Sequence, residues 1–420
     1  MTSAGGTDLG IREPRGFLAP YAEVFAIPRA WRFSVAGIIG RMPMSMYGLA
    51  TVLLISAGTG RYGLAGSVSA AGSIGGAVCA PQLGRLVDRL CQHRVLIPEC
   101  VTFAVAVAGL VAAVTLHAPD WTLFLCGIAG GATMPQTGPM ARARWSALLA
   151  GSPRLHTAFS VESVADEVCF VVGPAAVTLL ATSVHPAAGV TAAALCALGG
   201  SLWFASQRST EPPVVALATT AKPHESAGQV GWRRSRLAAP TLVVLVPVAV
   251  FMGAMFVTID LSTVAFATHF GHKALAGVIL GVYALGSATG GLWYGSRTWH
   301  VPAWRRLAIT LPLTVAGVCT FWAMPNLLVL TLVIFLCGMT IAPSLIAAYS
   351  LLESTALAGR ATEAMSWLST GVSVGVACGS TAAGFILDAF GARWGYAFAG
   401  ASGVAAALIY LGGLRRVAAV

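Results

Sequence analysis

Arg41, Glu162, Asp166, Glu167 and Asp260, ionisable residues inside otherwise apolar stretches of this sequence, are its candidate functional groups. At the centre of a membrane-spanning helix each such charge costs at least about 2.5–3.5 kcal/mol, so it faces a polar interior and finds a partner. Arg41 lies about eight residues beyond the start of its stretch and Asp166 about nine beyond the start of its own, which at about 1.5 Å per residue gives them similar depth. These depths predict an ion pair between Arg41 and either Asp166 or Glu167. Glu162 and Asp166 are four apart and share a helix face, whereas Glu167 points about 100° away. If Arg41 holds one acid and leaves another less compensated, the second is a group able to take up and release a proton. That chemistry couples proton entry to substrate exit. The other reading of the same residues is a structural salt bridge without proton traffic, and an unpaired acid there would also suit a cationic substrate.

The elements that must position these groups are long apolar helices. Runs of about 20 apolar residues cross a hydrocarbon core about 30 Å thick, and twelve occur: 33–57, 64–83, 95–116, 121–141, 157–181, 186–206, 239–260, 274–294, 304–324, 327–350, 363–387 and 392–413. Of the 420 residues 57% are hydrophobic and 10% charged, against about a quarter charged in soluble proteins. A soluble domain is thereby excluded, and an all-α membrane protein is expected.

The net charge of +10 raises the question of nucleic acid, which the placement of the charges answers. With the N-terminus in the cytoplasm, 21 of the 25 Lys and Arg fall in the tails and loops of that side, among them Arg12, Arg15, Arg29, Arg32, Lys222, Arg233, Arg234, Arg236, Arg415 and Arg416. Only Arg61, Lys273 and Arg393 fall opposite, and Arg41 lies within the first run. Cytoplasmic loops are rich in Lys and Arg, so the charge reads as topology, with both termini cytoplasmic and no nucleic-acid partner. The first thirty residues carry Asp8, Arg12, Glu13 and Arg15 without an apolar core and cleavage site, which predicts no signal peptide.

Nine cysteines lie mostly within the runs, Cys91 alone in a loop, and none forms a C-x-x-C pair. Packing is their expected role, with no metal site and no disulfide. The eight His residues, including His93, His156 and His224, fall in loops or near interfaces, so no buried His relay is expected.

The longest polar segment, 207–238, holds Pro212, Pro213 and Pro223 and reads as a linker between two six-helix halves. Phe124-Leu125-Cys126-Gly127 recurs as Phe335-Leu336-Cys337-Gly338, each followed within a few residues by a proline, Pro135 or Pro343. A duplicated six-helix unit accounts for that match. The expected organisation is a tail at 1–32, a six-helix bundle at 33–206, the linker at 207–238, a second bundle at 239–413 and a tail at 414–420.

The loop after the second run, Gly84-Arg85-Leu86-Val87-Asp88-Arg89-Leu90-Cys91-Gln92-His93-Arg94, resembles the G-x-L-x-D-R-x-G-R-R-type loop of the major facilitator superfamily. It keeps the Gly, Leu, Asp, Arg and final basic residue and departs at Cys91 and His93. The resemblance covers essentially the whole chain and implies twelve transmembrane helices in two pseudo-symmetric six-helix bundles. It also implies that Gly84, Asp88, Arg89 and Arg94 form a cytoplasmic gate. Physically, Asp88 is placed to meet the N-terminus of the eleventh helix near Ala361 to Glu363, where unpaired N–H groups and the helix dipole stabilise a carboxylate. A second, partial likeness is the Gly-Pro core of the family exporters' fifth helix, here Gly173-Pro174, where the proline removes a backbone bond and kinks the helix. The Arg that the family's drug exporters often carry in the fourth helix is absent, Leu123 standing in its place.

In the family the first, fourth, seventh and tenth helices line a central cavity. Onto these and their neighbours the sequence puts Met42, Met46, Tyr47, Gln136, Tyr283, Tyr349 and Trp367. Polarisable and aromatic side chains suit an amphipathic organic molecule, and the scarcity of Asn and Gln within the runs argues against a sugar. The expectation is a monomeric secondary transporter of the bacterial inner membrane that exports a drug-like or secondary-metabolite compound by proton antiport and alternating access, with no cofactor beyond the proton gradient. Its rivals are uptake or facilitated diffusion of a metabolite, and a non-transporting sensor on the same scaffold. No metal-ligand pair, nucleotide-binding glycine loop or Ser-His-Asp set supports an enzyme.

Overall fold

A helix satisfies all its backbone hydrogen bonds internally, as a chain in lipid requires, and the computed structural model is helical throughout its described residues, 16–213, 239–272, 275–356 and 360–418. Asp8, Arg12, Glu13 and Arg15, residues 214–238 of the expected linker (with Lys222, Pro223, His224, Arg233, Arg234 and Arg236) and Lys273 lie outside them. The first half comprises α1 (Ala19–Ala26), α2 (Ala30–Arg41), α3 (Pro43–Thr59), α4 (Tyr62–Leu90), α5 (Gln92–Thr115), α6 (Asp120–Ala132), α7 (Thr137–Leu148), α8 (Leu155–Ser183) and α9 (Ala188–Ser206). The second comprises α10 (Ala239–His269), α11 (Leu275–Gly295), α12 (Ala303–Thr320), α13 (Leu327–Gly338), α14 (Ile341–Thr355), α15 (Ala361–Phe390) and α16 (Ala392–Ala418).

Eleven helical segments among the described residues are long and apolar enough to cross a membrane. The fourth expected span is instead broken at Thr133–Gln136 into α6 and α7, around Pro135, which lacks an N–H to donate. Its counterpart, the tenth, divides into α13 and α14 at Met339–Thr340. Three edges differ from the sequence reading. The expected tail contains α1 and the first turn of α2, α10 runs past 260 to His269, and α16 runs past 413 to Ala418. The Tyr21 hydroxyl, on α1, donates to the Leu292 carbonyl at 2.6 Å, so α1 is packed structure rather than a free tail.

The recurring Phe-Leu-Cys-Gly segment does the same job twice. A Cβ on Gly127 would lie 3.2 Å from the Val68 carbonyl oxygen of α4, and one on Gly338 2.5 Å from the Tyr283 carbonyl oxygen of α11. The preceding sulfurs, of Cys126 and Cys337, sit 3.1 and 2.9 Å from where a Cβ would stand on Gly109 and Gly317. Glycine at these crossings lets helix backbones approach closely.

The core is joined on one side only. On the face that bears the Arg-rich loops, Val24, Phe33, Trp145 and Phe159 of the first half share one buried cluster with Leu242, Tyr294, Leu352 and Met365 of the second. Toward the opposite face the cores separate. Met46, Tyr47, Phe103 and Val190 form one cluster within the first half, and Met255, Ile259, Phe321 and Tyr396 another within the second. The halves meet where α4 packs on α15 and α8 on α11.

Candidate functional site

The first feature is a buried charge cluster within the first half. Arg41, 2% exposed at the end of α2, forms an ion pair with the fully buried Glu162 of α8. It also donates to Asp166 Oδ1 at 2.8 Å. Arg142 of α7 takes the other Asp166 oxygen at 2.6 Å and lies 4.1 Å over the Tyr349 ring of α14. The Trp145 indole N–H donates to Glu162 at 2.9 Å. Two guanidinium groups thus face two carboxylates, a balanced set that desolvation would otherwise penalise heavily. Arg142 and Trp145, three apart on one face of α7, escaped the sequence reading because the expected fourth run stopped at 141, whereas α7 continues to Leu148. The usable signal was their spacing just beyond Pro135.

Glu167 lies apart from this cluster. Arg41 pairs with Glu162 and Asp166 and not with Glu167, because Glu167 is turned about 100° round the helix toward α11. There the Ser287 hydroxyl donates to its carboxylate at 2.6 Å across the boundary between the halves. Asp260 of α10, exposed, is near enough for the two carboxylates to act on each other electrostatically, and Tyr283 feels both. The Tyr283 hydroxyl has no hydrogen-bond partner among the described residues. Neither Glu167 nor Asp260 has an ion pair among them.

The second feature joins the halves at the Arg-rich face. Asp88, at the end of α4, accepts the Thr362 and Glu363 backbone N–H groups at 3.1 and 2.9 Å, so it caps α15 from the other half. The neighbouring Glu363, fully buried, is held by Arg85 at 2.7 Å and by Arg360 at 2.8 Å. Gly84 makes this approach possible, since a Cβ there would stand 2.7 Å from Ser366 Oγ and 3.1 Å from the Thr362 carbonyl oxygen. Arg89 and Arg94 do not join the contact. Both are exposed, because they fall on the helix faces turned from α15, and Arg85 supplies the cation instead. On the other seam Thr157 donates to the Gly295 carbonyl at 2.7 Å and Ser160 to the Gly291 carbonyl at 2.6 Å.

The expected cavity lining divides. Met42, Gln136 and Trp367 are half-buried. Met46 and Tyr47 are packed in the first half's core, the Tyr47 hydroxyl donating to the Gly127 carbonyl at 3.2 Å, so they are corrected from lining to packing. Tyr283 is buried beside Glu167, and Tyr349 is buried beneath Arg142. Gly173 packs against Ser45 and Met46 of α3, and α8 runs unbroken through Pro174. One buried acid was overlooked in the sequence. Glu99 of α5 is 4% exposed, and neither carboxyl oxygen has a hydrogen-bond partner among the described residues. A Glu at the fifth position of the 95–116 run was signal enough to find it.

A chain of apolar helices in two halves that repeat a sequence segment, joined by the Asp88 cap on α15, has the architecture of a multi-pass membrane protein. Residues 33–362 match the Major Facilitator Superfamily, and the chain belongs to that family. Among solved structures it is similar to the human organic anion transporter MFSD10 (TETRAN), with a TM-score of 0.66 and 17% identity over 91% of this chain and 100% of that one. It is also similar to a bacterial homologue of the iron transporter ferroportin in its outward-facing state, with a TM-score of 0.69 and 12% identity over 92% and 99% of the two chains. The E. coli fucose:proton symporter FucP gives a TM-score of 0.66 and 14% identity over 93% and 99%. At these identities the likeness is one of fold. No curated protein sequence matches the chain.

Proposed function

We propose that this protein exports a small amphipathic compound, drug-like or a secondary metabolite, by proton antiport, the two halves rocking about a site between α8, α10 and α11. The observation that carries the reading is Glu167. It bonds Ser287 of the other half at 2.6 Å, lies near Asp260, and faces no cation among the described residues. Asp166 and Glu162 are neutralised by Arg41 and Arg142, so they hold α2, α7 and α8 together. Glu167 is then the acid that takes up the proton, and its bond to Ser287 forms or breaks as the halves move.

The conformation fits alternating access. With the Arg-rich face in the cytoplasm, as the positive-inside bias favours, the joined core and the Asp88 cap close the cytoplasmic side. The separate cores leave the halves apart on the outer side. The proposed setting is the bacterial inner membrane, with both termini cytoplasmic, the chain a monomer and the proton gradient its energy source. The bundles would be 33–206 and 239–413, joined by the 207–238 linker. Import by proton symport would use the same acid, as the likeness to a fucose:proton symporter keeps in view.

Efflux of a fluorescent cationic dye from energised cells, with and without a protonophore, tests the reading beside Glu167→Gln. Protonophore-sensitive efflux that the variant loses supports it. Protonophore-sensitive accumulation would establish symport instead, and transport indifferent to both protonophore and variant would remove Glu167 from coupling.

A further inference from the structure

We propose that Cys91, His93 and Glu211 bind a borderline transition-metal cation, best matched by Zn2+, at the Arg-rich face. One ligand atom from each lies within 4.8 Å of the others. Cys91 sits between α4 and α5, His93 in the first turn of α5, and Glu211 just after a short 3-10 turn, Arg208–Thr210, that follows α9. The two sides are 118 residues apart in sequence, so cysteine spacing alone could not reveal the site. Thiolate, imidazole and carboxylate are the three ligand types that zinc takes, at about 2.0–2.3 Å. The mixed soft and hard donors argue against Ca2+ or Mg2+, which prefer oxygen alone.

The local geometry is prepared for such an ion. Glu211 Oε2 lies 2.8 Å from His93 Nδ1, and its Oε1 accepts the His93 amide N–H at 2.9 Å. Tetrahedral ligands of zinc stand about 3.5 Å apart, so inserting the metal between Nδ1 and Oε2 asks for a shift of well under 1 Å. Cys91 adopts φ +82°, a left-handed backbone that glycine adopts without cost and other residues only under strain.

Arg144 is the positioning residue. Fully buried on α7, it donates to Gln92 Oε1 at 2.7 Å, between Cys91 and His93. Its other nitrogens donate to the Phe204 and Gln207 carbonyls, each at 3.1 Å, and to Thr210 Oγ1 at 2.9 Å. Gln92 is in turn fixed on the Met140 carbonyl at 3.0 Å. One side chain therefore registers both strips of chain that bear ligands, the kind of outer support a precise site needs. Metal binding displaces the thiol proton to solvent and ties the start of the chain beyond α9 to the loop that carries Asp88 three residues before Cys91.

The test uses the full-length, tag-free protein in detergent, titrated with Co2+ as a spectroscopic stand-in for Zn2+, followed by displacement with Zn2+. One Co2+ per chain with a thiolate-to-cobalt charge-transfer band, reversed by Zn2+, is expected. The band should vanish in Cys91→Ser and in Cys91→Gly, the second of which relieves the backbone strain and keeps the fold testable. His93→Gln and Glu211→Gln, each removing a ligand, should weaken binding at least as much as loss of an outer partner does, about 10- to 100-fold. No stoichiometric binding by the wild type, or a band that survives in Cys91→Gly, overturns the proposal. Neither result touches the transport reading, because the readout is binding.

Discussion

Ser287 on α11 donates its hydroxyl hydrogen to the Glu167 carboxylate on α8 at 2.6 Å, the two residues belonging to opposite halves of the repeat. That hydrogen bond crosses the seam at an acid that no described cation neutralises. Protonation removes the negative charge from the acceptor and weakens a charge-assisted bond, which contributes about twice a neutral one. On the proposed reading, proton uptake at Glu167 would ease separation of α8 from α11 at this point of the seam.

Glu167→Gln should abolish the pH dependence of transport while leaving the assembled protein intact, since the amide can still accept from Ser287. Ser287→Ala should retain proton coupling with a weaker pH response. Uptake of a transported dye into inverted vesicles at a series of pH values reads both. A Glu167→Gln profile that tracks the wild type would exclude the coupling role.

Glu162→Ala should destabilise the first half strongly. It strips Arg41, 2% exposed, of its fully buried partner, leaving it only the Asp166 that it shares with Arg142, and leaves the Trp145 N–H without an acceptor; breaking a buried pair costs up to about 3–5 kcal/mol. Arg41→Met combined with Glu162→Met removes both charges and should regain part of that loss. Thermal unfolding in detergent measures each variant. If the double variant is no more stable than Glu162→Ala, the argument from an orphaned charge fails.

Asp88→Ala should speed amide exchange at Thr362 and Glu363, whose N–H groups its carboxylate accepts. Loss of a cap costs about 1 kcal/mol, or about a fivefold rise in exchange where local opening controls it. Asp88→Asn, which keeps one acceptor oxygen, should fall between. Hydrogen exchange followed by mass spectrometry of the peptide around 361–366 tests this, with an unchanged rate in Asp88→Ala as the contrary result.

The helical fold and most of its spans were legible because lipid imposes length and apolarity on each span, although the fourth run breaks at Thr133–Gln136; the contact of Arg41 with Asp166 followed from depth, whereas its pair with Glu162 did not. What the sequence hid was contact across long separations. Arg142 was missed because the expected fourth run ended at 141, one residue short of it, whereas α7 continues to Leu148. Glu211 read as linker, yet it reaches His93. Arg85 was passed over for Arg89 and Arg94, since which face of α4 meets α15 depends on packing rather than on the local pattern. Met46 and Tyr47 failed as cavity lining for the same reason: an apolar helix residue can face lipid, core or cavity with equal propensity.

The duplicated Phe-Leu-Cys-Gly segment yields a paired prediction. Gly338→Ala places a Cβ 2.5 Å from the Tyr283 carbonyl oxygen, backbone that cannot rotate away. Gly127→Ala meets the Val68 Cγ1 at 2.6 Å and its carbonyl oxygen at 3.2 Å. Overpacking of this kind costs about 1–3 kcal/mol, and Gly338 should suffer more, because its neighbour is main chain whereas Val68 can adjust its rotamer. Gly277→Ala and Gly412→Ala face open space and gain helix propensity, so they should be neutral or slightly stabilising. Thermal unfolding of the four variants ranks them. Equal stability across the set would mean that the α4–α6 and α11–α13 crossings are looser than the backbone approach implies.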